Sequence, residues 1–145
     1  DSALFSRGMT NKIRTRKVNK SLYSNYLKRA EECYITANAC FKNADWNAAT
    51  ICAIHACISA CDAMCIYFLG IRHAGENHNN AVRLFKKIRI QDGNLSKNAN
   101  RLNRIISIKN MAEYEERLVF KSEVEKILKD MERFFSYIRK ELPQT

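Results

Sequence analysis

Apolar side chains recur three and four residues apart along almost the whole chain, and this spacing limits the fold more than any other feature. Such spacing gathers apolar residues on one face of a helix, and no alternating strand pattern of useful length interrupts it. The chain has 145 residues and is 46% hydrophobic, which is enough for one domain with a substantial core. We therefore predict a single all-α domain.

Helix signals divide this domain into five segments with a polar loop over residues 71–80. The predicted helices cover about residues 21–42, 46–69, 80–88, 96–114 and 122–142. Asp45 is expected to cap the second helix, Gly70 to end it, and Ser122 with Glu125 to form a capping box on the last. The second helix is apolar around most of its circumference, as is typical of the central helix of a bundle. The predicted fold is an antiparallel four-helix up-and-down bundle with an additional short helix, over residues 18–145.

Positive charge is concentrated at the N-terminus. The chain carries a net charge of +10, and residues 1–17 contain Arg7, Lys12, Arg14, Arg16 and Lys17. We predict a flexible basic arm over residues 1–17, which either binds a polyanion such as nucleic acid or serves as a solvated tail. Residues 1–8 are expected to be an addition to the natural chain, because Met9 resembles a natural start.

The cysteines and histidines favour packing over metal chemistry. Cys57, Cys61 and Cys65 recur every four residues among apolar side chains, as buried helix-face residues do. Paired zinc-ligand spacings do not occur, so neither a metal nor a cofactor is expected, and disulfides are not expected in a chain predicted to be cytoplasmic. His55 is interpreted as a core histidine, and His78 as a residue that caps the short helix or fixes the loop.

Targeting signals and familiar catalytic motifs are not found in this sequence. The longest stretch without charge lies within the second predicted helix and is too short and too rich in small residues to span a bilayer, so no membrane association is expected. A secretory signal is not recognised. Glycine-rich phosphate loops, nucleophile elbows and zinc-protease motifs do not occur.

Two segments of the chain resemble parts of a HEPN domain. The first is the Ala-rich second helix, AATICAIHACISACDAMCIYFLG, and the second is the later segment IISIKNMAEYEE, which precedes a capped last helix. The similarity covers about residues 18–142 and is greatest to small stand-alone HEPN proteins. Within the fourth helix, the family motif of a basic residue followed by Ala, an acidic residue and Tyr corresponds to Lys109, Ala112, Glu113 and Tyr114.

The resemblance implies a homodimer of helical bundles, often encoded beside a small nucleotidyltransferase as a toxin and antitoxin pair. Many members are metal-independent RNases whose Arg and His meet across the dimer. Here Lys109 and Tyr114 stand in those places, and Asn110 is retained. Lysine lacks the bidentate fork of arginine, and tyrosine is a poor general base at neutral pH.

Two functions follow as alternatives. The first is a toxin-type or RNA- or nucleotide-binding dimer with a diverged site of Lys109, Asn110 and Tyr114. Its expected RNA contacts are Arg104, Lys109, Arg14, Arg16 and Lys17. The second is a non-catalytic subunit that docks a nucleotidyltransferase. The Arg and His of the family signature also occur at the expected spacing at Arg72 and His78, but this match falls in the loop after the second helix and is interpreted as chance. A purely structural interpretation of the other pair is also open: Lys109 is then a solvated cation, and Tyr114 anchors the end of the helix.

Overall fold

Helices make up most of the molecule. The computed structural model describes residues 12–90 and 93–143, without the side chains of residues 112–114. A 3-10 turn, Lys20–Leu22, precedes the first helix. The α-helices are α1 (Tyr23–Lys42), α2 (Trp46–Leu69), α3 (Asn79–Phe85), α4 (Asn94–Tyr114) and α5 (Lys121–Glu141). Four long helices and one short helix confirm the predicted all-α bundle.

Helix α2 is the central element, since α1, α3, α4 and α5 all pack against it. Five of its alanines are fully buried and let its neighbours approach closely: Ala49, Ala53, Ala56, Ala60 and Ala63. By length and composition α2 could cross a membrane, but 61% of its most apolar window is buried inside the bundle. Its hydropathy is therefore accounted for by its central position.

The ends of α2 and α5 follow two of the predicted signals and depart from a third. Gly70 adopts a left-handed conformation, with φ of 71°, and ends α2 as predicted. Asp45 occupies the N-cap position, although its side chain makes no capping bond. Because α5 begins at Lys121, its third residue is Glu123, whose carboxylate accepts a hydrogen bond from the Phe120 N–H at 2.8 Å. The predicted box of Ser122 and Glu125 is therefore wrong.

Two short strands correct the prediction for the N-terminal segment and the loop over residues 71–80. Strand β1 (Thr15–Lys17) pairs antiparallel with β2 (Ile71–His73). The Val18 N–H also donates to the Gly70 carbonyl at 3.0 Å, which joins this segment to the end of α2. A three-residue strand is too short to show alternation, which is why the sequence did not reveal it. The flexible arm predicted through residue 17 therefore includes a strand, and its residues 1–11 lie outside the described residues.

The core confirms the prediction for the cysteines of α2 and corrects it for a histidine. Cys57, Cys61 and Cys65 are buried, and each is a free thiol. His55 is exposed, because it lies on the side of α2 that the other helices leave uncovered. The apolar stripe of α5, which includes Phe134 and Phe135, packs into the same core.

Candidate nucleic-acid interface

A groove between α4 and α5 combines an apolar floor with a positively charged rim. Its volume is about 310 Å³. The floor consists of Ile105 and Ile108 on α4 and Ile127 on α5, and the residues around it are Arg104, Lys126, Lys129 and Asp130. A nucleobase or ribose fits an apolar floor of this kind, and a phosphate fits a cationic rim.

Arg104 is held at the edge of this groove by a carboxylate of the facing helix. Its Nε donates to Asp130 Oδ2 at 3.1 Å, and its Nη2 donates to Asp130 Oδ1 at 2.9 Å. These hydrogen bonds raise the pKa of Arg104, so the guanidinium remains charged. The side chain is 57% exposed, so its remaining N–H groups face solvent and are free to meet an anion.

Lys109 and Asn110 lie nearer the C-terminal end of α4, on other sides of the helix. Five residues turn an α-helix by about 140°, which separates Lys109 from Arg104 around the helix axis. Lys109 lies about 40° from the buried Ile105 and is half-buried, whereas Asn110 is exposed. The structure therefore does not gather Arg104, Lys109 and Asn110 on one face.

Tyr114 is the last residue of α4. The side chain of this predicted site residue lies outside the described part of the chain.

The basic residues in β1 and directly before it form a second, distant surface. Arg14, Arg16 and Lys17 are exposed beside the C-terminal end of α2. The connection after α4 is fixed at the other end of α2, where the Val119 N–H donates to Asn47 Oδ1 at 3.1 Å. A helix of 24 residues is about 36 Å long. The predicted RNA contacts are thus split between two ends of the bundle.

The Arg72 and His78 pair that matches the family signature literally lies in a partly buried polar cluster behind β2. Arg72 Nη1 donates to the His73 carbonyl at 3.0 Å, and the guanidinium lies 5.8 Å from the Tyr26 ring centre. The rings of His73 and His78 are 5.8 Å apart. His78 is the N-cap residue of α3 but makes no side-chain capping bond. Arg72 lies in β2 and His78 lies on the connection between β2 and α3, so neither residue of the pair is on α4.

Asp62 and His73 are the buried ionisable residues that the sequence reasoning missed. Burial raises the pKa of Asp62 to about 7, and Arg72 opposes this shift. Burial also lowers the pKa of His73, with a smaller contribution of the same sign from His78. In the sequence, the signal that could have revealed this buried site was Asp62 itself, because it is an acidic residue within an otherwise apolar helix.

Metal ligands are not grouped in the part of the chain that the structure describes: its His, Cys, Asp and Glu side chains form no set of three or more that could hold an ion. The groove therefore offers cations and apolar surface as its means of binding.

Comparison with known proteins places this helical bundle in a family. Residues 23–141 match the model of the HEPN domain, which covers α1 to α5. The chain belongs to the HEPN family. No curated protein matches it significantly.

Proposed function

We propose that this HEPN-family protein is an RNA-binding protein of the toxin type that holds RNA along the α4–α5 face. The observation that carries the proposal is the groove of about 310 Å³ with an isoleucine floor and a rim of Arg104, Lys126 and Lys129. Cations at a rim contact phosphates without reading sequence, and an apolar floor accepts a base edge or ribose. Lys109 and Asn110 lie on other sides of α4 and are not part of this surface.

A more specific version of this proposal is that the protein also cleaves the RNA that it binds. RNA cleavage needs a cation at the scissile phosphate and a group that moves a proton to or from the 2′-hydroxyl. In the diverged motif, which is separate from the groove, Lys109 supplies the charge, and Tyr114 donates a hydrogen bond but is a poor base near neutral pH. The diverged pair is thus better suited to holding RNA than to cleaving it.

Photo-crosslinking tests where RNA lies. The protein is irradiated with 4-thiouridine-labelled RNA, and the crosslinked peptides are mapped by mass spectrometry. We expect crosslinks in peptides from α4 and α5 that contain Arg104, Lys126 and Lys129. Crosslinks confined to the segment with Arg14 and Arg16 would instead assign RNA binding to the β1 end of the bundle and overturn the proposal.

A second candidate function is docking of a protein partner, either a second copy of the chain or a nucleotidyltransferase. It is favoured by two exposed apolar residues in the connection after α4, Leu118 at 73% and Phe120 at 61% exposure. The connection is held by Arg117, which donates to Glu123 at 2.7 and 2.9 Å and lies over the Phe120 ring. Ordered apolar side chains on a surface are typical of binding sites.

Light scattering after gel filtration tests this candidate. We expect a dimer for the natural chain and a monomer for Leu118→Glu, because a buried carboxylate without a partner opposes association. The matched control is Ile35→Glu, at a residue of α1 that is 66% exposed, and it should leave the dimer intact. A natural chain that is monomeric, and that also fails to co-purify with a nucleotidyltransferase, would contradict this candidate.

A further inference from the structure

The two-stranded sheet has an outer edge that no other described strand covers. Strand β2 packs against α2 and α3, so β1 is the outer strand of the pair. All three residues of β1 are exposed. A strand at the edge of a sheet presents unpaired backbone N–H and C=O groups, to which another extended chain can add. The outer edge of β1 is therefore a place where an extended segment can bind.

Pairing with β2 determines which backbone groups of β1 point outward. In antiparallel strands every second residue exchanges hydrogen bonds with the neighbouring strand, and the residues between them direct their N–H and C=O groups away from it. The Arg14 carbonyl and the Val18 N–H both make hydrogen bonds with the residues that flank β2. Thr15 and Lys17 have the opposite parity, so their N–H and C=O groups point outward. These two sets of groups are about 7 Å apart along the strand, as a second strand requires.

Positive charge surrounds this edge. Residues 12–20 contain five basic residues and no acidic residue. Arg14, Arg16 and Lys17 are exposed, and none of them makes an ion pair with another residue that the structure describes. Arg16 also lies directly opposite Arg72 of β2, and like charges at opposed positions of two strands repel each other. A carboxylate placed beside Arg16 would offset this repulsion.

The charge on the edge selects the kind of chain that can add to it. A second copy of β1 is disfavoured, because its Arg and Lys side chains would lie against those of the first. RNA phosphates fit the cations, but they are acceptors only and leave the outward carbonyls of Thr15 and Lys17 without donors. An extended peptide supplies both N–H and C=O groups at the spacing of a strand. Because neighbouring side chains of a strand point to opposite faces, adjacent acidic residues of the peptide would meet Arg16 on one face and Lys17 on the other.

We propose that β1 binds an extended acidic segment of a partner protein, which adds to the sheet as a third strand. The backbone of this segment pairs with Thr15 and Lys17, and its carboxylates pair with Arg16 and Lys17. The backbone hydrogen bonds give affinity for an extended chain, and the ion pairs select an acidic sequence. This binding is distinct from RNA binding in the α4–α5 groove, and either can hold without the other.

Two synthetic peptides test the proposal on the full chain. The probe is the fluorescein-labelled peptide Thr-Val-Glu-Asp-Glu-Val-Thr, and the control peptide carries N-methyl groups on its acidic residues, which keeps every charge but removes their backbone donors. Fluorescence anisotropy should show that the unmodified peptide binds about tenfold more tightly, because the control leaves outward carbonyls of β1 unpaired. In NMR measurements of amide exchange, the unmodified peptide should slow exchange at Thr15 and Lys17 but not at Arg16, whose N–H already faces β2.

Substitutions in β1 separate the contribution of the backbone from that of charge. Thr15→Pro removes an outward N–H and leaves the hydrogen bonds to β2 in place, so it should weaken peptide binding about fivefold. Thr15→Val retains that N–H and should bind as the natural chain does. Arg16→Glu should weaken binding by tenfold or more, roughly as the loss of a charged hydrogen bond does. Its matched control, Arg133→Glu, makes the same change of charge at an exposed residue of α5 and should bind normally.

Three results would each overturn the proposal. The first is that the unmodified peptide does not bind, and the second is that both peptides bind equally well. The third is tighter binding at Thr15 and Lys17 by a single-stranded oligouridine of equal length, which would assign this surface to nucleic acid. The comparison of peptides uses the natural chain, so it remains decisive if a variant of β1 fails to fold.

Discussion

Asp62 lies among the buried residues of α2 and is 9% exposed, so its charge has little access to water. Burial favours the neutral carboxyl, and the pKa of Asp62 is raised to about 7 even though Arg72 favours the charged form. In the unfolded chain an Asp side chain loses its proton near pH 3.9. Between these two values the folded protein binds a proton that the unfolded chain has lost.

Stability contributed by Asp62 should therefore fall as pH rises from about 4 to 7, and it should level off above pH 7. Asp62→Asn removes this proton equilibrium, and at pH 8 the variant should be more stable than the natural chain by an amount on the order of 2 kcal/mol. Urea unfolding of both proteins between pH 4.5 and 8 measures the difference.

His73 changes the pH dependence of stability in the opposite direction. Its contribution is present in both the natural chain and Asp62→Asn, so it cancels in the difference between their free energies of unfolding. Its lowered pKa means that the folded state excludes a proton that the unfolded chain binds near pH 6.5, so its contribution is lost as pH falls. A stability difference between the two proteins that does not vary with pH would contradict the assignment of a buried, neutral Asp62.

At the scale of helices and strands, the N-terminus of α5 depends on one carboxylate. Glu123 accepts from the Phe120 N–H at 2.8 Å and pairs with Arg117 at 2.7 Å. The Arg117 hydrogen bond, followed by that from Phe120, lowers the pKa of Glu123 to about 2. The carboxylate therefore joins the connection after α4 to the first turn of α5.

Glu123→Ala should lower the free energy of unfolding by about 1 kcal/mol, because the Phe120 N–H loses its acceptor. Glu123→Gln retains that acceptor and should lose less. Thermal unfolding by circular dichroism compares these variants with Glu125→Ala, which changes an exposed Glu of the same helix. Equal losses for Glu123→Ala and Glu125→Ala would show that the capping box is not formed by Glu123.

Helices were predictable from this sequence to within a few residues, whereas the strands and one cap were not. Periodic apolar residues and Gly70 mark α2 because a buried face and a left-handed stop leave local signals. Strands β1 and β2 have three residues each, and each forms only by pairing with the other, which lies more than fifty residues away in the sequence. The N-cap of α5 is Phe120 and not Ser122, and this shift of two residues moves the capping role from Glu125 to Glu123. The position of the N-cap depends on how the preceding connection packs.

At the scale of the whole molecule, the arrangement of charge was less predictable than its amount. The net charge of +10 is a property of the sequence, but the separation of Arg14 and Arg16 from Lys109 follows from the topology. The groove beside Arg104 exists because α5 brings Lys126 and Lys129 next to α4. None of the motifs quoted for the family contains those two lysines, so the sequence offered no reason to select them.

The dependence of RNA affinity on salt tests the central claim most directly. Dissociation constants for a labelled single-stranded RNA are measured by fluorescence anisotropy at several salt concentrations. If Lys126 and Lys129 each contact a phosphate, the slope of log affinity against log salt should become shallower by about 1.4 in Lys126→Ala/Lys129→Ala. The control Lys28→Ala/Lys42→Ala removes the same charge from α1 and should retain the natural slope. Equal slopes for the natural chain and the groove variant would contradict RNA binding at the α4–α5 face.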